Sequence, residues 1–213
     1  MKTITRHLPF TDKTEWYWPA NDIKLVQVFD DVGDIDLTMK YVKNPQVCVQ
    51  AGGACGVWPL RYAQLFDLVY TFEPMKANRE CLMLNLSGVD NVTVFASALS
   101  DSVTNGDMLF EKSEKDNYGA VYFKPGAGDV TTKTIDSLGL GACDIIQLDI
   151  EGYEPEALKG AIDTIERFKP VIVLEEKPLP QFAHRDYKEA RYFIEGLGYK
   201  QVDAIKRDVI FAC

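Results

Sequence analysis

The 213 residues carry 23 basic and 32 acidic side chains, a formal charge of −9, with 46% apolar and 26% charged residues. That mix belongs to a folded chain rather than a disordered one, and the length allows a core to form without disulfides or structural metal. The acidic balance disfavours tight binding to a phosphate backbone, which needs clustered Lys and Arg, so no nucleic-acid partner is expected.

Five cysteines, Cys48, Cys55, Cys81, Cys143 and Cys213, are widely spaced and include no C-x-x-C pair. They read as free thiols in a reducing compartment rather than a disulfide framework or zinc cluster. The first twenty residues lack an apolar core of signal-peptide length, and no run of 18 apolar residues occurs anywhere. The expectation is a soluble, cytoplasmic protein with no membrane partner.

Residues 1–46 hold a strand-like piece at 25–29, a turn at 31–34 and a helix over 35–42, and read as an N-terminal cap. Trp16, Tyr17 and Trp18 either pack this cap or line an acceptor pocket. From residue 47 onward, short β-branched runs at 47–51, 68–73, 92–98, 145–150 and 171–175 alternate with helical segments at 59–66, 75–86, 155–168 and 187–197. This alternation predicts an α/β fold with a parallel sheet covered on both faces, within a single domain spanning 1–213. The closing strands, 199–204 and 208–212, are separated by only three residues and must pair antiparallel. Between 101 and 137 the composition shifts to Gly, Asp, Lys and Thr around β-like pieces at 108–110 and 120–123. This excursion, with Tyr118 and Tyr122, is expected to cover part of a site.

The most informative stretch is Val49-Gln50-Ala51-Gly52-Gly53-Ala54-Cys55-Gly56, between a predicted strand and a predicted helix. Such a bend exposes backbone amides at the positive end of a helix dipole, and glycine lets a ligand approach closely. The dinucleotide fingerprint is not met, because Gly52, Ala54 and Val57 occupy its three glycine places. The spacing instead resembles the D-x-G-x-G-x-G turn of class I S-adenosylmethionine-dependent methyltransferases. Glu73, about one strand–helix–strand unit further on, then reads as the carboxylate that accepts ribose hydroxyls, with Pro74 turning the chain away.

Four segments occur in a telling order: Gln50–Gly56, Phe72-Glu73-Pro74, Ala98-Leu99-Ser100-Asp101, and Asp144 through Glu154 with its Asp149-Ile150-Glu151-Gly152 centre. In these the chain resembles an FkbM-family methyltransferase over residues 47–175. The resemblance implies a Rossmann-like, mostly parallel seven-stranded sheet with the last strand antiparallel and helices on both faces. It also implies S-adenosyl-L-methionine as cofactor and, commonly, O-methylation of a small molecule or sugar. The candidate cofactor-binding residues are Gln50, Gly52, Gly53, Ala54, Gly56, Glu73, Pro74, Ser97, Ala98 and Asp149. Where the family pattern has an acid, an Asn and a Lys, this chain has Gln50, Ala54 and Gln147. Those departures motivate an alternative, an inactive cofactor- or partner-binding module with the same fold.

Methyl transfer to oxygen is an in-line displacement helped by orientation and by a base that takes the acceptor proton. Asp149 and Glu151, two apart in a segment expected to be extended, should project to one face, with Asp149 as base or substrate anchor and Glu151 as its partner. Glu151 and Glu154 could instead serve the following helix as cap and first-turn charge. Lys177, beside Glu175 and Glu176, and His184 are alternative bases; His7 reads as a solvated surface residue. Trp58, just after the glycine loop, could face a cation. A carboxylate pair could hold Mg²⁺, but no third ligand is evident, so no metal is assigned. The acceptor is expected to be a small molecule or glycan.

Overall fold

We describe a computed structural model covering residues 1–111 and 116–213. The chain opens with an antiparallel hairpin, β1 (Lys2–Thr5) and β2 (Glu15–Trp18). Period-2 alternation turns Trp16 and Trp18 inward, where both are buried and hold Phe29 between them, edge-on at 5.2 Å and stacked at 5.0 Å. Residues 25–34 overturn the expected strand at 25–29 and turn at 31–34. They run as short helical pieces, including α1 (Val28–Asp31), and lead into α2 (Ile35–Thr38), shorter than the predicted 35–42 helix. Phe29, Val32 and Ile35 are buried at three-residue spacing, so a helical stripe against the core prevails over β-branched propensity.

The core then follows as β3 (Val47–Ala51), α3 (Val57–Ala63), β4 (Leu68–Phe72), α4 (Lys76–Asn85) and β5 (Val92–Phe95). Next comes a smaller sheet, β6 (Ala98–Leu99), β7 (Asn105–Phe110), β8 (Val121–Pro125) and β9 (Val130–Lys133). The strand expected over 92–98 divides between β5 of the main sheet and β6 of this one, β9 was not anticipated, and residues 112–115 of the expected excursion lie outside the described residues. The chain finishes with β10 (Ile145–Leu148), α5 (Glu154–Lys159), α6 (Ile162–Phe168), β11 (Val171–Glu175), α7 (Glu189–Gly196), β12 (Lys200–Ile205) and β13 (Asp208–Ala212).

The large sheet has the order β12-β13-β11-β10-β3-β4-β5. Neighbours from β11 through β5 are parallel, and β13 runs antiparallel to both β11 and β12, as the short connection requires. Alternate residues feed two cores. Cys48, Val69, Ile145, Val173 and Ile210 pack with the N-terminal cap, α3 and α4; Val49, Ile146, Leu148, Ile172, Leu174 and Phe211 pack with α5, α6 and α7. A sheet buried on both faces is why these strands read as continuous apolar runs. Cys48, Cys55, Cys81 and Cys143 are buried free thiols and Cys213 is exposed. Among the described residues, no helix is long and apolar enough to cross a membrane.

Two details tie the periphery to the centre. The Asn85 side chain accepts from the Tyr17 amide at 2.9 Å and donates to the carbonyls of Tyr17 at 2.9 Å and Cys55 at 2.8 Å, joining hairpin, α4 and glycine loop. Gly160 splits the predicted 155–168 helix into α5 and α6, because a Cβ there would overlap the carbonyl oxygen of Ser100, which follows β6. We expect Gly160→Ala to lower the unfolding free energy by about 1–3 kcal/mol through this overlap. Urea denaturation checks it, and wild-type stability would remove the close approach from the account.

Candidate active site

The strand order reverses its direction of growth between β3 and β10, and open α/β sheets place ligands just beyond the carboxyl ends of strands at such a switch point. There the Gly52 and Gly53 amides donate to the Phe72 carbonyl at 3.1 and 3.0 Å, and the Gly56 amide closes a turn on Gly53 at 2.8 Å. Gly52 has φ +89, and a Cβ on it would overlap the Asp149 carbonyl oxygen, so only glycine lets this loop lie against the end of β10. Gly53 and Gly56 face the other way. A Cβ on Gly53 would collide with the Thr71 hydroxyl of β4 and with Leu82 of α4, and one on Gly56 would press on Leu82, so their small size serves packing, and neither lines the cavity.

Glu73 follows β4 and is buried. Its carboxylate accepts from the Ala54 amide at 2.7 Å and the Met75 amide at 2.8 Å. Burial pushes this carboxyl up to about 7, against the pull of the Met75 and Ala54 amides. The loop therefore reaches Glu73 through a backbone N–H, and the absence of an Asn side chain at Ala54 leaves that link intact. Gln50 is likewise buried and engaged, accepting from the Thr71 hydroxyl at 2.5 Å.

At the other side of the switch point, Asp149 follows β10 with its amide bonded to the Ala51 carbonyl at 3.2 Å and its side chain exposed on the cavity. The expectation of an extended segment fails here. Glu151 takes the left-handed conformation, φ +57, as the chain turns toward α5. Its carboxylate nonetheless converges with the others: oxygens of Asp149, Glu151 and Glu175 lie within 4.8 Å of one another. Lys177 bridges two of them, its Nζ 2.8 Å from Glu151 Oε1 and 2.6 Å from Glu175 Oε2. Burial alone would lower the lysine pKa, but the charges of Asp149, Glu151 and Glu175 together hold it well above its ordinary value. That corrects Lys177 as a candidate base: it is a fixed ammonium donor. Burial pushes Glu151 upward, with Lys177 pulling down and Asp149 adding to the rise.

Glu154 is buried and accepts from the Ile150 amide at 2.9 Å, so it holds the turn that presents Asp149 and Glu151, and burial raises it to about 7. It shapes the turn and the first turn of α5, as one reading of the sequence allows. The α5 N-cap position, Tyr153, makes no side-chain cap bond, so Glu151 does not cap the helix.

One cavity of about 660 Å³ joins both halves. Of the residues singled out in the sequence, Gln50, Gly52, Ala54, Glu73, Pro74, Ala98, Asp149, Glu151 and Lys177 line it, as do Trp58 and Tyr118. Ser97 lies behind the wall, buried with its hydroxyl unpartnered. Tyr122 sits edge-on to Phe182 at 5.7 Å instead of in the cavity, and His7 and His184 are exposed away from it. Trp16 and Trp18 pack the cap rather than an acceptor pocket. Sequence reasoning missed Asp208 and Asn78, which line the cavity too. The Asp208 signal was present in the closing hairpin, whose register sets Asp208 opposite Glu175.

The residues present fit a nucleoside-bearing cofactor. A glycine cradle too tight for a Cβ stands beside a buried carboxylate that keeps lone pairs for hydroxyl donors, and the buried Asn78 Oδ1 beside it has no partner. The family model for the methyltransferase FkbM domain matches residues 59–200, more than half of the chain. The chain belongs to the FkbM methyltransferase family. S-adenosylmethionine is thus its cofactor. No curated protein matches the sequence. Among solved structures, the FkbM-family chain is similar to methyltransferase FkbM from Methylobacillus flagellatus KT, with 15% identity, TM-score 0.50, and 87% of this chain covered. It spans about half, 53%, of that protein's length. It is also similar to precorrin-6y C5,15-methyltransferase from Geobacter metallireducens GS-15 (14% identity, TM-score 0.52, 92% and 91% covered). A third likeness is to the N-methyltransferase NodS from Bradyrhizobium japonicum WM9 (11%, 0.50, 89% and 96%). At these identities the likeness establishes the Rossmann-like fold alone.

The buried acids of this FkbM-family chain set a direction for its stability. Glu73 and Glu154 have folded values near 7, above the ordinary 4.5, so the folded chain keeps protons that the unfolded chain has released. Their contribution is full below the unfolded value and lost as pH rises through about 7. We expect the melting temperature to rise from about pH 8 to about pH 6 and Glu154→Gln to flatten that slope. Differential scanning calorimetry reads both, and a melting temperature that falls over the same interval contradicts the burial argument.

Proposed function

We propose that this FkbM-family chain is an O-methyltransferase whose acceptor is a hydroxyl on a small molecule or sugar. The observation that carries the reading is the convergence of Asp149, Glu151 and Glu175 in the same cavity as the glycine loop and Glu73. S-adenosylmethionine supplies an electrophilic methyl group on a sulfonium sulfur. The chain's own groups do the rest. Glu73, held by two amides, accepts the hydrogens of a vicinal diol, and the loop from Gln50 to Ala54 supplies the surface against which an amino-acid portion rests. Ala98, at the start of β6, and Pro74 give apolar wall for a base.

Asp149 takes the acceptor proton or anchors the hydroxyl, being the cluster carboxylate most exposed to the cavity. Glu151 and Glu175 are tied by Lys177, which fixes them in place and keeps Asp149 beside a positive charge. An oxygen acceptor must lose a proton during transfer, and this cluster offers a home for it. The four buried thiols suit a reducing, cytoplasmic setting.

Two measurements test the reading. Calorimetry with S-adenosylhomocysteine should show affinity rising as Glu73 ionises through about 7, and Glu73→Gln should abolish that pH dependence; absence of binding at any pH removes the cofactor role of this cavity. In a screen of sugar and small-molecule hydroxyls, Asp149→Asn should lower kcat by about 10²–10⁴ while S-adenosylhomocysteine still binds. Unchanged turnover would take the base role away from Asp149.

A further inference from the structure

The ends of three adjacent strands bring more carboxylates together than the methyl-transfer reading uses. β10 and β11 run parallel with Leu148 opposite Leu174, so Asp149 and Glu175 follow side by side, and β13 sets Asp208 opposite Glu175. Glu151 enters from the turn. Against these four acids stands Lys177, which touches Glu151 and Glu175 through one oxygen each. Lys206 is engaged by Asp31 at 2.5 Å and Asp34 at 3.0 Å, and Arg207 approaches Glu175 only to 3.9 Å. Among the described residues, the cluster is short of positive charge.

A second observation points the same way. Gln147 is 2% exposed, lines the same cavity, and its Oε1 has no partner. It stands two residues before Asp149 on β10, on the face that Asp149 continues, between Val173 and Gln50 in the sheet. A buried, unpaired carbonyl oxygen beneath a group of carboxylates calls for a cation or a donor.

We propose that Asp149, Glu151 and Glu175 bind one divalent cation of the Mg²⁺ or Mn²⁺ class, with Gln147 Oε1 completing the oxygen face of the site. The three carboxylate oxygens lie within 4.8 Å of one another. Oxygen ligands at about 2.0–2.6 Å from an ion stand at most about 4–5 Å apart, so a single ion reaches all three. The donor set is entirely hard oxygen, which selects Mg²⁺, Mn²⁺ or Ca²⁺ over thiolate- and imidazole-seeking metals. Lys177 and the ion draw on the same two glutamates, so the ammonium is a tethered competitor that limits affinity. The role of the ion rests on the proposed reaction: beside the acceptor hydroxyl it lowers the pKa of that hydroxyl, and Asp149 then acts as an anchor through the ion.

The test is binding, not turnover. The full chain, stripped with chelator, is titrated with Mn²⁺ and followed by electron paramagnetic resonance and calorimetry. One Mn²⁺ per chain is expected, displaced by Mg²⁺, with affinity weakened about tenfold or more in Asp149→Asn and in Glu175→Gln and strengthened in Lys177→Met. Circular dichroism verifies that each variant folds, and a rise in melting temperature on adding Mn²⁺, present in the wild type and absent in Asp149→Asn, gives a second readout. No Mn²⁺ or Mg²⁺ binding at millimolar concentration, or binding indifferent to Asp149→Asn and Glu175→Gln, overturns the site. Mn²⁺ binding without S-adenosylhomocysteine binding would sink the methyl-transfer reading and leave the metal site standing. Nucleoside binding without Mn²⁺ would do the reverse.

Discussion

The contact on which the site depends is between two backbones: Gly52 lies against the carbonyl of Asp149 with no room for a side chain. It exists because β3 and β10 are neighbours, although almost a hundred residues separate them in the chain. The β3-β4-β5 half carries the glycine loop and Glu73; the β10-β11-β13 half carries Asp149, Glu175 and Asp208. Neither half holds a site alone. Their junction is where the sheet changes its direction of growth, and the small residue at 52 lets the two sets of functional groups share one cavity.

Charge is handled differently on the two sides. Glu73 stands singly, held by one amide of its own turn and one of the glycine loop, and its burial leaves it close to titration at neutral pH. The acids across the junction are crowded, and a lysine from the segment after β11 is drawn between two of them. The cost of burying like charges is met there by a covalently attached cation, which sets the orientation of Glu151 and Glu175 and leaves Asp149 facing the open cavity.

Much of this was legible in the amino-acid order because the large sheet is buried on both faces: β3, β11 and β13 begin and end where β-branched runs predict. The departures have local causes. Residues 25–34 look extended by composition, but Phe29, Val32 and Ile35 fall on one helical stripe beneath the tryptophans. The single helix expected over 155–168 breaks at Gly160 because a distant strand end presses on it, a contact that no local pattern carries. Asp149 and Glu151 were paired on the assumption of a continuing strand; they meet because Glu151 turns left-handed. Gly53 and Gly56 looked like ligand contacts, yet the packing behind them, Leu82 for both and Thr71 for Gly53, accounts for their size. Lys177 could be placed near the acids by sequence, but its protonation follows from how many carboxylates surround it, which only folding decides.

Asn85 gives the N-terminal hairpin a standing that its distance from the cavity would not suggest. One amide group is shared between both backbone polar groups of Tyr17 and the carbonyl of Cys55, inside the cofactor loop. Stripping away the first eighteen residues would cost that amide its two bonds to Tyr17, leave only the one to Cys55, and loosen the brace behind residues 52–56. The opening hairpin is thus a structural footing of the loop, and a shortened chain starting at the first strand of the large sheet would be a different, weaker molecule.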